Sequence, residues 1–588
     1  MGWDVNSGAS LTLANNLPVA SGKTLTVNGT LNCSTLLVNG AGTFTLANSS
    51  NATLGIGSTA GITSSGATGN IQTTTRNFNT GANYNYNGSA NQATGNGLPA
   101  TVNNLTIANT GTSPTNIVTL GSTVSVTSNL SVSNGVFDFG SNTVNRATSG
   151  GTITVSNGAT LKIGSTNTFP SNYVTHTLGS TSTIEYSGTS QTISAENYGN
   201  LTFSGSSTKT FASGTTKIAS SFTVTAGTPD ATANSSTIEY NGAGQNIAAI
   251  NYSSLTFSGS GTKTFASGTT KIASSFTLSA GTPDATTNST TIEFNGASQN
   301  INAITYYNLT TSGSGTKTAG GSLTVNNNLD NGGASNNAVT LDMGSNTLSV
   351  TGTKDNTGAT IKFGNANGVA VSTGTIEYNG TSQTVATGTY STLNLTSATT
   401  YTPNGSITAT TLDNGGASNN AATLNMAVNT LSATTIENTN ATIRFSNANG
   451  VAVSTGTIEY YGASQTIASG TYNSLTINQS SGNASLGGNT TVNGTLTLTS
   501  GNVSTSSNTL SISSAGSVSR TSGHIVGNFQ KYVATGSPSR TFEIGDASNY
   551  TPVSLSFASV TQQEIYLPLP PEVNIQISPH LQSIFPRT

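Results

Sequence analysis

Along most of this chain, apolar residues occupy every second position in short runs, and each run is broken by Gly, Asn or Ser. Between Gly151 and Gly164, Ile153 and Val155 fall on one face while Thr152 and Thr154 fall on the other. A period of two with one apolar face predicts half-buried β-strands. No stretch of a dozen residues repeats apolar positions at three and four without Gly or β-branched interruption, so helices are not expected. Asn-Gly pairs, among them Asn28-Gly29, Asn87-Gly88, Asn241-Gly242, Asn295-Gly296 and Asn379-Gly380, supply residues that tolerate positive φ between strands.

The strands belong to a longer repeat: Thr-Ile-Glu-aromatic, then a Gly, then a Gln six residues after the Glu. The copies centre on Glu185, Glu239, Glu293, Glu377 and Glu459, answered by Gln191, Gln245, Gln299, Gln383 and Gln465. A weaker echo lies at Tyr86, Gly88 and Gln92. Successive copies are 54, 54, 84 and 82 residues apart, near whole multiples of about 27 to 28. Six short β-like runs in one 54-residue unit, from Ile184–Tyr186 to Phe222–Val224, then give three strands per coil. The expectation is an all-β, right-handed parallel β-helix of about 27 residues per coil, followed by a small β-rich C-terminal module.

Five regions are expected. Residues 1–180 hold degenerate repeats, 181–318 the 54-residue units, 319–510 the longer units, 511–560 the β-rich module, and 561–588 a Pro-rich tail that is disordered or truncated. In the longer units Leu-Asp-Asn-Gly-Gly-Ala-Ser-Asn-Asn-Ala is written identically from Leu329 and Leu412. Met1-Gly2-Trp3-Asp4 enters repeat texture without a basic n-region, an apolar h-region or a cleavage site, which suggests a gene fragment.

Composition narrows the chemistry. Charged residues are 6% of the chain against about 25% in an ordinary domain, so Ser, Thr, Asn and Gly must cover the surface. Net charge is only -3, which argues against disorder driven by charge. Sixteen thinly spread basic residues leave no electrostatic footprint for nucleic acid. No apolar run is long enough to span a bilayer, so membrane insertion is not expected.

The segments Thr237 to Gln245, Tyr252 to Phe257 and Gly261 to Phe265 resemble the repeat regions of large secreted surface proteins of Bacteroidetes-type bacteria. Gly523 to Asn528, Phe542 to Asp546 and Tyr550 to Val553 are similar to the β-rich module that follows such repeats. The likeness covers most of residues 80 to 560 and is one of texture. Members typically carry a signal peptide, and many end in a type IX sorting domain; this chain shows neither. The resemblance therefore implies an extracellular or cell-surface location for the intact parent, and an adhesive or structural role.

Strand alternation puts Glu185 and its counterparts on the outward face. The functional reading is a stripe along one face of the solenoid, Glu185, Glu239, Glu293, Glu377 and Glu459 with the five Gln residues and nearby Tyr, binding glycans or other surface polymers. The plainer reading is outward Glu balanced by the in-register Lys209, Lys217, Lys263, Lys271 and Lys317, and its repetition favours structure, because a rung is copied whereas a catalytic site is usually unique. An enzyme would need a converging acidic pair or a metal. The densest ionisable cluster, Glu543 and Asp546 with His524 and Arg540, is flanked by residues that read as core. His176, His524 and His580 are far apart, no phosphate loop or dinucleotide fingerprint is present, and Cys33 has no cysteine to pair with. No cofactor, metal or catalytic residue is expected. These features favour a non-catalytic, adhesin-like stalk, with a carbohydrate-binding or carbohydrate-active β-helix as the alternative. An uncapped solenoid end is also expected to invite end-to-end self-association.

Overall fold

A computed structural model describes residues 2–365, 368–446, 450–562 and 564–566. The expected Pro-rich tail lies almost wholly outside them. The chain divides into two compact units, Met1–Glu293 and Phe294–Thr588. Each is a right-handed parallel β-helix, and no helix occurs among the described residues.

In the first unit the winding can be followed strand by strand. Thr183–Tyr186, Asn200–Phe203 and Phe222–Val224 stack on one face. Gln191–Ile193, Thr208–Phe211 and Thr228–Asp230 stack on a second. Asn197–Tyr198, Thr215–Ile218 and Thr237–Tyr240 stack on the third. Leu201 lies on Ile184, Phe222 on Leu201 and Ile238 on Thr216. These vertical neighbours make the coil shorter than the spacing between motif copies suggests. One motif repeat contains eight strands, and eight is not a multiple of three. It therefore makes two and two-thirds turns of about 20 residues each, rising by a strand spacing per turn, and the motif that starts on one face returns on another.

In the second unit some steps tighten further, with Glu377 directly on Lys362 and Glu459 directly on Arg444. There too Thr375–Tyr378 and Thr457–Tyr460 belong to different sheets. Parallel stacking runs through Ser517–Arg520 and Ile525–Val533, so the region expected as a separate module begins as continued solenoid. Antiparallel pairing follows, with Ser539–Phe542 on Val553–Ser556 and Glu564–Tyr566 on Ile525–Val533.

The inward face is a continuous stack of Ile, Leu, Val, Phe and Tyr, including Ile184, Tyr186, Leu201, Phe203, Phe257 and Tyr460, all fully buried. Each such side chain contributes about 1.5 to 3 kcal/mol by leaving water. Phe257 meets Phe276 edge-on at 5.0 Å. Cys33 is buried as well, and burial pushes its thiol up to about 12.

Corners bring successive coils close. A Cβ on Gly242 would lie 1.9 Å from the carbonyl oxygen of Ala219, and one on Gly380 would lie 1.3 Å from that of Gly364. Neither glycine has positive φ. The Asn-Gly corners of the repeat thus need Gly for clearance from the coil beneath, not for a left-handed backbone. Gly242→Ala is expected to cost about 1 to 3 kcal/mol through overpacking. Gly244→Ala should be close to neutral, because its nearest obstacle is the Thr262 carbonyl oxygen at 3.7 Å. Denaturant midpoints of the two variants test this.

The repeated corner as candidate functional site

Each copy of the motif builds the same corner from three elements. The first is the outward Glu. Because Thr-Ile-Glu-aromatic stacks on a strand whose matching position is basic, every motif Glu meets a cation from the preceding coil. The pairs are Lys162–Glu185 at 3.6 Å, Lys217–Glu239 at 3.2 Å, Lys271–Glu293 at 2.9 Å, Lys362–Glu377 at 3.8 Å and Arg444–Glu459 at 2.7 Å. The coil above adds donors: Ser204 Oγ to Glu185, Ser258 Oγ to Glu239 at 2.5 Å and Asn478 Nδ2 to Glu459 at 3.0 Å. Partly exposed pairs of this kind stabilise by about 0 to 1 kcal/mol. The five Glu do not form a stripe on one face: Glu185 and Glu239 lie on different faces, as do Glu377 and Glu459. Between Glu185 and Glu239 the eight-strand repeat rotates them apart.

The second element is the Gln, which the structure places inside. Gln191, Gln245, Gln299, Gln383 and Gln465 are all buried. Each accepts from the backbone N–H of the corner Gly through Oε1: Gly188 at 2.8 Å, Gly242 at 2.9 Å, Gly296 at 2.7 Å, Gly380 at 2.5 Å and Gly462 at 2.6 Å. Nε2 donates to carbonyls of the coil below, as Gln245 does to Ile218 at 2.8 Å and Ser220 at 3.0 Å. Gln92 repeats the arrangement with Gly88 and Ile56. These amides satisfy buried backbone groups and are not presented to a ligand.

The third element was not foreseen: a donor from the next coil that closes the corner. Lys209, Lys263 and Lys317 are fully buried, and their ammonium groups sit among backbone carbonyls. Lys209 Nζ donates to Gly188 and Ser206, at 2.6 and 3.0 Å. Lys263 Nζ donates to Gly242, Ala243 and the Gln245 Oε1, at 2.5, 2.6 and 2.9 Å. Lys317 Nζ donates to Gly296 at 2.5 Å and to Ser314 at 3.1 Å. Elsewhere the same place is taken by Asn109 Nδ2 on Ala90 and Gln92, the Tyr401 hydroxyl on Tyr378, and Gln479 Nε2 on Tyr460 and Gln465. The common requirement is a donor rather than a charge. The in-register recurrence of the lysines was legible in the sequence; their burial was not, because Lys on a polar repeat reads as surface.

The motif tyrosines are held equally tightly. Tyr240 OH meets Tyr252 OH at 2.8 Å, and Tyr252 OH donates to Ala248 at 2.8 Å. Burial pushes the Tyr186 and Tyr240 phenols up to about 12.

Other ionisable groups are consumed locally. Glu543 pairs with Lys531 at 2.6 Å, Asp546 caps the backbone of Ser548 and Asn549, His524 Nε2 meets the Asp546 carbonyl, and Arg540 donates to the Tyr532 carbonyl. His176 pairs with Glu196 at 2.9 Å. Among the described residues no group of three or more His, Cys, Asp or Glu is placed to hold a metal, and no helix is long and apolar enough to cross a membrane. One arrangement had escaped the sequence reading. Asp330 and Asp355 occupy adjacent rungs, and so do Asp413 and Glu437. Burial, then Glu437, pushes the Asp413 carboxyl up, while hydrogen bonds from Thr439 hold Glu437 down. The identical decapeptides from Leu329 and Leu412, with an acid one rung further on, were the available signal.

Comparison with known proteins finds no matching family model, no matching curated protein and no matching solved structure.

The buried lysines carry a pH signature. Burial lowers all three ammonium pKa values, that of Lys317 from 10.5 to about 8. Between about 8 and 10.5 the unfolded chain then binds more protons than the native one, so stability rises with pH across this window. Below about 8 Lys317 is charged in both states and contributes no slope. Lys317→Met is expected to flatten the rise; denaturant midpoints measured across the window check it.

Proposed function

We propose that this chain is a non-catalytic structural repeat of an adhesin-like surface protein, whose solenoid presents a polar Thr, Asn and Ser face. The observation that carries the reading is the use of the repeated residues. The motif Glu is paired rung to rung, and the Gln, Lys and Tyr are buried in the corner, so what is copied is what holds one coil on the next. A surface location and contact with glycans or other surface polymers rest on the texture the chain shares with secreted repeat proteins and on its almost uncharged surface.

A second reading, carbohydrate-active rather than structural, is favoured by one observation: Asp413 and Glu437, on adjacent rungs, have environments that push their protonation in opposite directions. Such a pair is what acid and base roles in glycoside hydrolysis use.

Two variants separate the readings. Deleting residues 186–239 removes one whole motif period and should join equivalent strands, so the β-rich circular dichroism signal should persist and binding to a glycan array or cell surface should weaken only gradually. Asp413→Asn should change neither. Release of reducing sugar by the intact chain, abolished in Asp413→Asn, would replace the structural reading with the enzymatic one.

A further inference from the structure

The corner imposes a chemical liability on four copies of the motif. Gly88, Gly242, Gly296 and Gly380 follow Asn87, Asn241, Asn295 and Asn379. Asn-Gly is the dipeptide most prone to deamidation, because the unhindered Gly nitrogen can attack the preceding side-chain amide. The backbone N attacks Asn Cγ and loses its proton, ammonia leaves, and water opens the resulting succinimide to aspartate or isoaspartate. Substitution of the glycine is costly at Gly242 and Gly380, where a Cβ would strike the carbonyl of the coil below. Asn at the preceding position also has a use. With its amide turned so that Nδ2 donates to Phe363 O at 2.8 Å, Asn379 Oδ1 accepts from Lys362 Nζ at 3.0 Å.

We propose that the repeated Gln acts as a deamidation guard for these corners, by engaging the nucleophilic Gly N–H. The bonds Gly88 N–H to Gln92, Gly242 to Gln245, Gly296 to Gln299 and Gly380 to Gln383 measure 3.0, 2.9, 2.7 and 2.5 Å. The attacking nitrogen must give up this proton and turn toward Asn Cγ, and both moves break the bond. The Asn side of the dipeptide is fixed as well: the backbone N–H groups of Asn87, Asn241 and Asn379 donate to Ile56, Ile218 and Phe363 of the coil below, at 2.9, 3.1 and 3.0 Å. In the remaining copies the same Gln holds a Gly that follows Ser187 or Tyr461. Corner closure is therefore the general role of the Gln, and the guard operates wherever Asn precedes. Asn404-Gly405 is the natural comparator. Asn404 is exposed; its backbone N–H donates to Val385 of the coil below at 3.0 Å, as in the motif corners, and its Oδ1 accepts from the Thr387 N–H at 2.7 Å, but among the described residues no Gln side chain engages the Gly405 N–H, so the missing Gln is the difference.

The full-length chain, incubated at mildly alkaline pH and analysed by peptide mass and isoaspartate content, tests the proposal. In the unmodified sequence Asn404 should convert well ahead of Asn241. In Gln245→Ala, conversion at Asn241 should rise about fivefold, the factor a hydrogen bond worth about 1 kcal/mol corresponds to, while Asn295, whose Gln299 is intact, keeps its rate. Gln383→Ala should move the effect to Asn379 and leave Asn241 unchanged, which separates a local guard from general loss of structure. An unchanged rate at Asn241 in Gln245→Ala, or a rise shared equally by Asn295, overturns the proposal.

Discussion

Each motif corner of this chain must close directly over the backbone carbonyls of the coil beneath, at a distance that admits no Cβ at Gly242 or Gly380. The other features follow from that close approach. It demands Gly at the corner, and it buries peptide groups that water can no longer reach. Such groups are costly when unpaired, about 1 to 3 kcal/mol each. At Gln245 the amide nitrogen answers one coil down, the oxygen answers within its own turn, and Lys263 of the next coil donates to that same oxygen from above. Three consecutive coils are thereby tied through one side chain, without a disulfide.

That the donor can be Lys, Asn, Tyr or Gln shows which property is selected. Lys brings more than the corner needs, since its charge must be held among backbone dipoles, and burial depresses its pKa accordingly. Length explains its use. From the outgoing strand the ammonium reaches the carbonyls of two successive turn residues, as Lys263 does with Gly242 and Ala243, where Asn109 reaches the carbonyl of Ala90 and the Gln92 amide. A long donor with three protons satisfies more carbonyls at once.

Much of the fold was legible in the sequence because it depends on a period of two. The alternation in Thr-Ile-Glu-Tyr decides which residues face inward, and Ile184 and Tyr186 are buried as that pattern requires. Coil length was not legible from motif spacing. Spacing counts residues between identical sentences, whereas the coil counts strands, and one motif repeat divides into eight short strands rather than six. Two of them, Asn197–Tyr198 and Thr228–Asp230, are too short and too polar to announce themselves. The same miscount aligned the five Glu on one face. The Gln residues were misplaced for a different reason. Counting by twos from the inward Tyr186 puts Gln191 on the outside, but the chain turns between them at Gly188, and alternation does not carry through a turn. Counted back from the buried Ile193 on its own strand, Gln191 falls inward, where the structure has it.

The rotation of the motif from face to face bears on what the surface can recognise. A repeat of six or nine strands would write every Glu and its paired cation on one side, creating a ladder of fixed charge that attracts or repels over long range. Eight strands distribute the same pairs around the axis within the first unit, and pairing each Glu with a cation of the preceding coil cancels much of the remaining field. What is left facing solvent is mostly hydroxyl and amide groups, whose interactions act only at contact distance and against competing water. A surface of this kind gains little from any one residue and gathers affinity by repetition along an extended partner. That is the physical basis of the proposal that the chain serves a structural, adhesin-like role rather than offering a single binding pocket.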